Sequence, residues 1–182
     1  MGPSVLQTAL YAAEKHAKQK RRYTDDPYIN HPLAVAAMVH SVNQYGEYSD
    51  GLEQAALLHD VVEDCGVTFE ELSQMGFNGF ICDVVRCLTD VYTKDAFPEN
   101  NRKDRKRREF LRWNSLSKNN EILWRYASIV KLADLYDNAC SIKQYDPKFW
   151  ITYREEAIEM NKFLYKNDKI SSLLMFILQE KT

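Results

Sequence analysis

The stretch Ala55–Asp64, AALLHDVVED, decides how the chain is read. Four residues able to bind a metal or a proton, His59, Asp60, Glu63 and Asp64, follow an apolar run. The pattern predicts one largely buried helix from about Leu52 to Cys65, with Gly66 as its C-cap. Residues three and four apart share a helix face, which brings His59 near Glu63 and Asp60 near Glu63 and Asp64. Burying so many polar groups together is costly unless a cation or a dense hydrogen-bond network compensates. The plainer alternative is a solvated acidic face on an ordinary helix.

Working outward, His31-Pro32 opens a second helix, continued by Leu33, Val35, Ala36, Ala37, Val39 and Val42. Proline suits the first turn, and a histidine at a loop–helix junction can point into a cleft. His16 and His40 read as surface or packing residues. Further on, Glu121 to about Ser141 reads as a long buried helix in which Asp134 interrupts the apolar run IVKLADLY. A buried carboxylate needs a partner. Lys131, three residues back, is one candidate; the other is a ligand role opposite His59 and Asp60. Two imidazoles and two carboxylates, His31, His59, Asp60 and Asp134, suit a divalent ion such as Mn²⁺, Fe²⁺ or Zn²⁺. Such an ion lowers the pKa of its water, orients it and polarises a phosphoryl oxygen. Glu63 and Asp64 lie one turn beyond, where either can handle the proton.

The rest of the chain frames this cluster. Its 182 residues suit a single domain over 1–182, with aromatic content that argues against disorder. A net charge of −2 does not suggest a nucleic-acid partner. No apolar run reaches membrane-spanning length and no signal-peptide pattern opens the chain, so a soluble, cytoplasmic protein is expected. Cys65, Cys82, Cys87 and Cys140 form no CxxC pair and read as reduced packing residues. Glycine and proline are scarce, and the fold class is all-α.

Ser4 is a plausible N-cap for a helix reaching Lys20, and the segments Tyr23–Asn30 and Gln44–Gly51 read as loops. Thr68 to Glu71 has capping-box form for a short helix to about Met75, and Asn78 starts another to about Asp90. Tyr92 to Asn101 reads as an irregular connection. Helices from about Pro147 to Tyr165 and from Asp168 to Gln179 end the chain. Two basic runs, Lys18–Arg22 and RKDRKRR at Arg102–Arg108, are either solvated helix charges or phosphate contacts.

Three blocks, PYINHPLAVA (Pro27–Ala36), ALLHDVVEDCGVTFEEL (Ala56–Leu72) and VKLADLYDN (Val130–Asn138), carry a family resemblance. Their H…HD…D order resembles the HD-domain metal-dependent phosphohydrolases. More narrowly, it resembles the hydrolase domain of the RelA/SpoT family and its small hydrolase-only members. That family removes the 3′-pyrophosphate of ppGpp and pppGpp. The resemblance implies an HD-domain helical bundle in which His31, His59, Asp60 and Asp134 hold a metal, usually Mn²⁺. It implies catalytic roles for Glu63 and Asp64. Substrate contacts are implied for Asn138, for Arg21 and Arg22 before the PYI block, and for Arg105 and Lys106.

A water on the metal would then attack the 3′-pyrophosphate, releasing pyrophosphate and GDP or GTP. The chain departs from the family in three places. RYTDD (Arg22–Asp26) stands where a glycine and one acid are usual, Leu135 replaces a base, and Asp137 replaces His or Tyr. These departures leave open another nucleotide, such as a deoxynucleotide or the 2′-phosphate of NADPH. A non-catalytic nucleotide-binding module and a homo-oligomer are open as well.

Overall fold

A computed structural model of the chain describes residues 2–43 and 49–179. Among these the regular structure is helical, with one isolated bridge between Lys20 and Pro27. The all-α class is what the sequence led one to expect. No helix is long and apolar enough to cross a membrane among the described residues. Contacts group the chain into two compact units, one ending at Thr89 and the other starting at Asp90.

The first unit holds α1 (Val5–Lys15), α2 (Asn30–Asn43), α3 (Ser49–Leu58), α4 (Val61–Cys65), α5 (Phe69–Gln74) and α6 (Gly79–Leu88). Of the expected loop from Gln44 to Gly51, residues 44–48 lie outside the described residues, and Ser49–Gly51 open α3. Helix α3 is the hub, packed by α1, α2 and α6. Leu52, Ala55, Ala56 and Leu58 are fully buried on it. Small alanines in the middle of a hub helix let its neighbours approach closely. Buried Gln54 ties α3 to α1 by donating to the Pro3 carbonyl at 2.6 Å and the Thr8 hydroxyl at 2.9 Å.

The caps follow the expected chemistry. Ser4 and Gln7 form a reciprocal capping box, and Asn78 caps α6. Thr68 caps α5, but the Glu71 side chain is held instead by Lys15 at 2.7 Å and the Tyr11 hydroxyl at 2.8 Å. Gly66 ends α4 with φ 68°, the left-handed conformation that glycine adopts without strain. Helix α1 stops at Lys15 rather than Lys20, and His16 begins a turn.

The second unit holds α7 (Arg102–Asn119), α8 (Glu121–Tyr145), α9 (Pro147–Asn161) and α10 (Asp168–Gln179). Helix α8 is its hub, packed by the other three. Asn120 divides α7 from α8, ending one and capping the other, and Asp146 with Pro147 divides α8 from α9. Trp113 and Trp150 fill the core at 1% exposure each.

The connection before α7 is pinned by the buried Glu109 carboxylate. It accepts the Val91 and Tyr92 backbone N–H groups at 2.6 and 2.7 Å and the Arg112 guanidinium at 2.7 Å. One turn earlier on α7, Lys106 reaches the Asp90 carboxylate at 2.9 Å. Burial pushes the Asp90 carboxyl up, but Lys131 and Lys106 outweigh it and hold the group below the usual range.

Two stability predictions follow from this anchor. Glu109→Ala strands two backbone donors and the half-buried Arg112 guanidinium, and should lower unfolding free energy by about 2–4 kcal/mol in urea titrations. A loss below about 0.5 kcal/mol would remove the anchoring role. A depressed native pKa means that Asp90 stabilises fully above its unfolded value of about 3.9. That contribution is lost as pH falls through the native value. Asp90→Asn should therefore flatten stability against pH below about 4 and leave the curve's shape above that unchanged.

Candidate active site

The continuous helix expected from Leu52 to Cys65 is not formed. It breaks at His59 and Asp60, which make a turn between α3 and α4. The apolar spacing runs straight through the break, so periodicity alone could not reveal it. The physical cause is local. In an unbroken helix the Ala56 carbonyl accepts the N–H four residues on; here it accepts from the His59 ring Nδ1 at 2.7 Å. Adjacent residues in a helix diverge by about 100°. Released from that geometry, His59 Nε2 and Asp60 Oδ2 come within 3.0 Å.

His31, in the first turn of α2, completes the cluster. Its Nε2 lies 3.3 Å from His59 Nε2 and 3.6 Å from Asp60 Oδ2. The two rings meet edge to face at 5.1 Å and are almost fully buried. A carbonyl can only accept, so His59 carries its hydrogen on Nδ1 and turns an Nε2 lone pair toward the cluster. With the His31 hydrogen on Nδ1 as well, the three atoms would offer a cation three lone pairs. A triangle with these edges has a circumradius of about 1.9 Å, just under the usual 2.0–2.2 Å bond from a divalent ion to such ligands. The residues present fit a metal ion, and these three form a group able to hold one.

The surroundings orient the cluster. The Tyr28 hydroxyl donates to Asp60 Oδ2 at 2.7 Å. Glu63 and Asp64 lie on the exposed side of α4, and Asp64 accepts from the Gln19 amide at 2.8 Å. Arg21 is half-buried, and its backbone N–H donates to the Asp26 carbonyl at 2.8 Å. Arg22 is exposed beside the Tyr23 ring. Between them and Tyr28 the loop turns at Asp25, whose φ of 61° is one that aspartate tolerates and glycine favours. Asp25 is also paired with Lys20 at 2.7 Å. The RYTDD segment therefore holds a residue in the left-handed conformation.

In the second unit, Asp134 is buried on α8, held by Lys131 at 2.9 Å and by the Asn138 amide at 2.6 Å. The pairing with Lys131, one of the two readings of the sequence, is present. Asp134, Asn138 and Lys106 line one cavity of about 160 Å³ together with Asp90, Arg102, Lys131, Tyr153 and Glu156. Arg105 is turned to the Asn100 carbonyl. Arg102 grips Glu156 with two bonds of 2.7 Å, a pairing that raises its pKa further. Burial, and then the charge of Asp134, push the Tyr153 phenol well above its usual range, so at neutral pH it is a donor, here to the Leu135 carbonyl.

The sequence assigned no functional role to His16, Gln19, Tyr28, Asp90 or Tyr153. Tyr28 stood within the PYINHPLAVA block, but its acceptor lies 32 residues away. His40 is exposed and paired with Glu53 at 2.7 Å, a surface role as expected. His16 is buried, as the packing reading allowed.

Comparison with known proteins places these features. A family model described as HD domain matches residues 9–148. The guanosine-3′,5′-bis(diphosphate) 3′-pyrophosphohydrolase MESH1 of Xenopus tropicalis is 35% identical over 82% of this chain and 75% of its own length. MESH1 of Homo sapiens is 32% identical over the same shares. A solved structure described as "a metazoan ortholog of SpoT" that "hydrolyzes ppGpp and plays a role in starvation responses" superposes with a TM-score of 0.79. It shares 28% identity and covers 98% of this chain and 97% of its own. With its histidines and aspartate gathered at a helix break inside the matched region, the chain belongs to the HD-domain family and, within it, to the MESH1 group.

Proposed function

We propose that this protein is a divalent-metal-dependent 3′-pyrophosphohydrolase of ppGpp and pppGpp, releasing pyrophosphate and GDP or GTP. The observation that carries the reading is the convergence of His31, His59 and Asp60 within 3.0–3.6 Å, in a chain with MESH1 relatives. These three hold the ion, and Asp134 joins them on the strength of the sequence motif. We take the ion to be Mn²⁺. When bound, it supplies a Lewis acid that acidifies and orients a water and polarises a phosphoryl oxygen.

The chain's own groups do the rest. Water attacks the phosphorus joined to the 3′-oxygen, the P–O3′ bond breaks, and the 3′-oxygen takes up a proton. Glu63 or Asp64, one turn past the ligands on α4, accepts the proton lost by the water. Asn138 and Lys106 border the second unit's cavity, where an amide and an ammonium suit phosphate oxygens. Arg21, Arg22 and Arg105 are assigned to substrate from their sequence positions. Lys131 is added as a further cation of the cavity wall. The two units together are read as one hydrolase domain working in the cytoplasm.

Incubation with ppGpp and Mn²⁺, followed by chromatography, should yield GDP. A parallel panel of deoxynucleotides and NADPH should yield far less product. Metal-loaded protein without turnover of ppGpp would reject the proposal, and preference for another nucleotide would reassign the substrate. His59→Ala should lose the ion, as read by elemental analysis, and retention of one ion per chain would contradict its ligand role. Glu63→Ala should keep the metal and lose on the order of 10²-fold in kcat; normal turnover would remove Glu63 from proton handling.

A further inference from the structure

We propose that buried His16 is a positioning residue for the reaction, orienting Asp64 through Gln19 and Asp60 through Tyr28. The inference rests on the function proposed above and adds two supports behind its carboxylates. His16 is 2% exposed and sits just past the end of α1. Its Nδ1 lies 2.7 Å from Gln19 Oε1, while Gln19 Nε2 donates to Asp64 Oδ2 at 2.8 Å. A carboxylate only accepts, so the Gln19 amide must turn its NH₂ to Asp64 and its oxygen to His16. His16 Nδ1 then carries the hydrogen. The result is a one-way chain of donors, imidazole to amide to carboxylate, in which each bond polarises the next.

On its ring face, His16 packs against Tyr28 with centroids 4.8 Å apart. Tyr28 is also edge-on to His31 at 5.8 Å, and its hydroxyl holds Asp60 Oδ2 at 2.7 Å. The two branches are tied in the backbone, where Gln19 N–H donates to the His16 carbonyl at 2.9 Å and Tyr28 N–H donates to the Gln19 carbonyl at 3.0 Å. Cys65 Sγ, 3.2 Å from His16 Nδ1, closes the pocket from the end of α4. One rigid imidazole therefore backs a ligand carboxylate and a proton-handling carboxylate that stand four residues apart. Groups hydrogen-bonded behind a metal ligand set its direction, and their loss typically costs about 10–100-fold in metal affinity.

The two branches predict different losses. Tyr28→Phe should weaken Mn²⁺ binding, measured by titration without substrate, about 10–100-fold. Gln19→Leu should leave Mn²⁺ affinity unchanged and lower kcat for ppGpp roughly tenfold, with KM nearly constant. His16→Phe keeps a ring against Tyr28 and loses the donor, so it should reproduce Gln19→Leu. The double variant His16→Phe/Gln19→Leu should then be no slower than Gln19→Leu alone.

Wild-type kcat in Gln19→Leu, wild-type metal affinity in Tyr28→Phe, or multiplying losses in the double variant would each overturn the proposal. If His16→Phe does not fold, the half-buried Gln19 and the Tyr28 hydroxyl still test their branches separately. The metal titrations need no substrate. A wild-type protein that binds Mn²⁺ but leaves ppGpp intact would sink the proposed function while the Tyr28 result still stands or falls by itself.

Discussion

The structure depends on an interruption of hydrogen bonding at His59. A backbone carbonyl that would ordinarily continue the helix is taken by the imidazole of its own chain three residues on. That bond fixes the ring's tautomer, aims Nε2, and accompanies the turn that lets Asp60 point the same way. The apolar residues before it, Leu52, Ala55, Ala56, Leu57 and Leu58, are at most 1% exposed. A hub so tightly packed holds the break in place. The site is thus a discontinuity carried on a rigid element, a common way to hold strongly interacting groups at short range.

Electrostatics then defines what the cluster can do. Two buried imidazole nitrogens and a carboxylate oxygen lie within 3.6 Å of one another. With a divalent ion that gathering becomes a ligand set. The second unit handles a related problem with side chains alone. Its cavity pairs each cation with an acid, Lys106 with Asp90, Lys131 with Asp134, and Arg102 with Glu156. Such pairing makes burial of charge tolerable and keeps long side chains in set directions. Glu109 supports the arrangement from behind by fixing the backbone that follows Asp90.

Much of this was legible in the sequence because it is local. Ser4, Thr68, Asn78 and Gly66 perform the end-of-helix roles their side chains suit. The helical class follows from period and composition, and the HD pair with His31 follows from residue type. What escaped was set by distant contacts. The break at His59 is invisible to a hydrophobic pattern that is unchanged on both sides of it. The partners of His16 and Tyr28 lie on other elements, and nothing in a lone histidine within KHAKQK announces burial. Asp25 is a further case. A residue in a stretch that looked like a departure takes a left-handed backbone that its sequence did not announce.

The central claim is that both buried imidazoles bind one ion. X-ray absorption at the manganese edge of Mn²⁺-loaded protein tests this directly, because imidazole rings give outer-shell scattering that carboxylates and water do not. The account predicts a first shell of mixed nitrogen and oxygen with scattering from two imidazoles. A shell of oxygen alone, with no imidazole contribution, would contradict it.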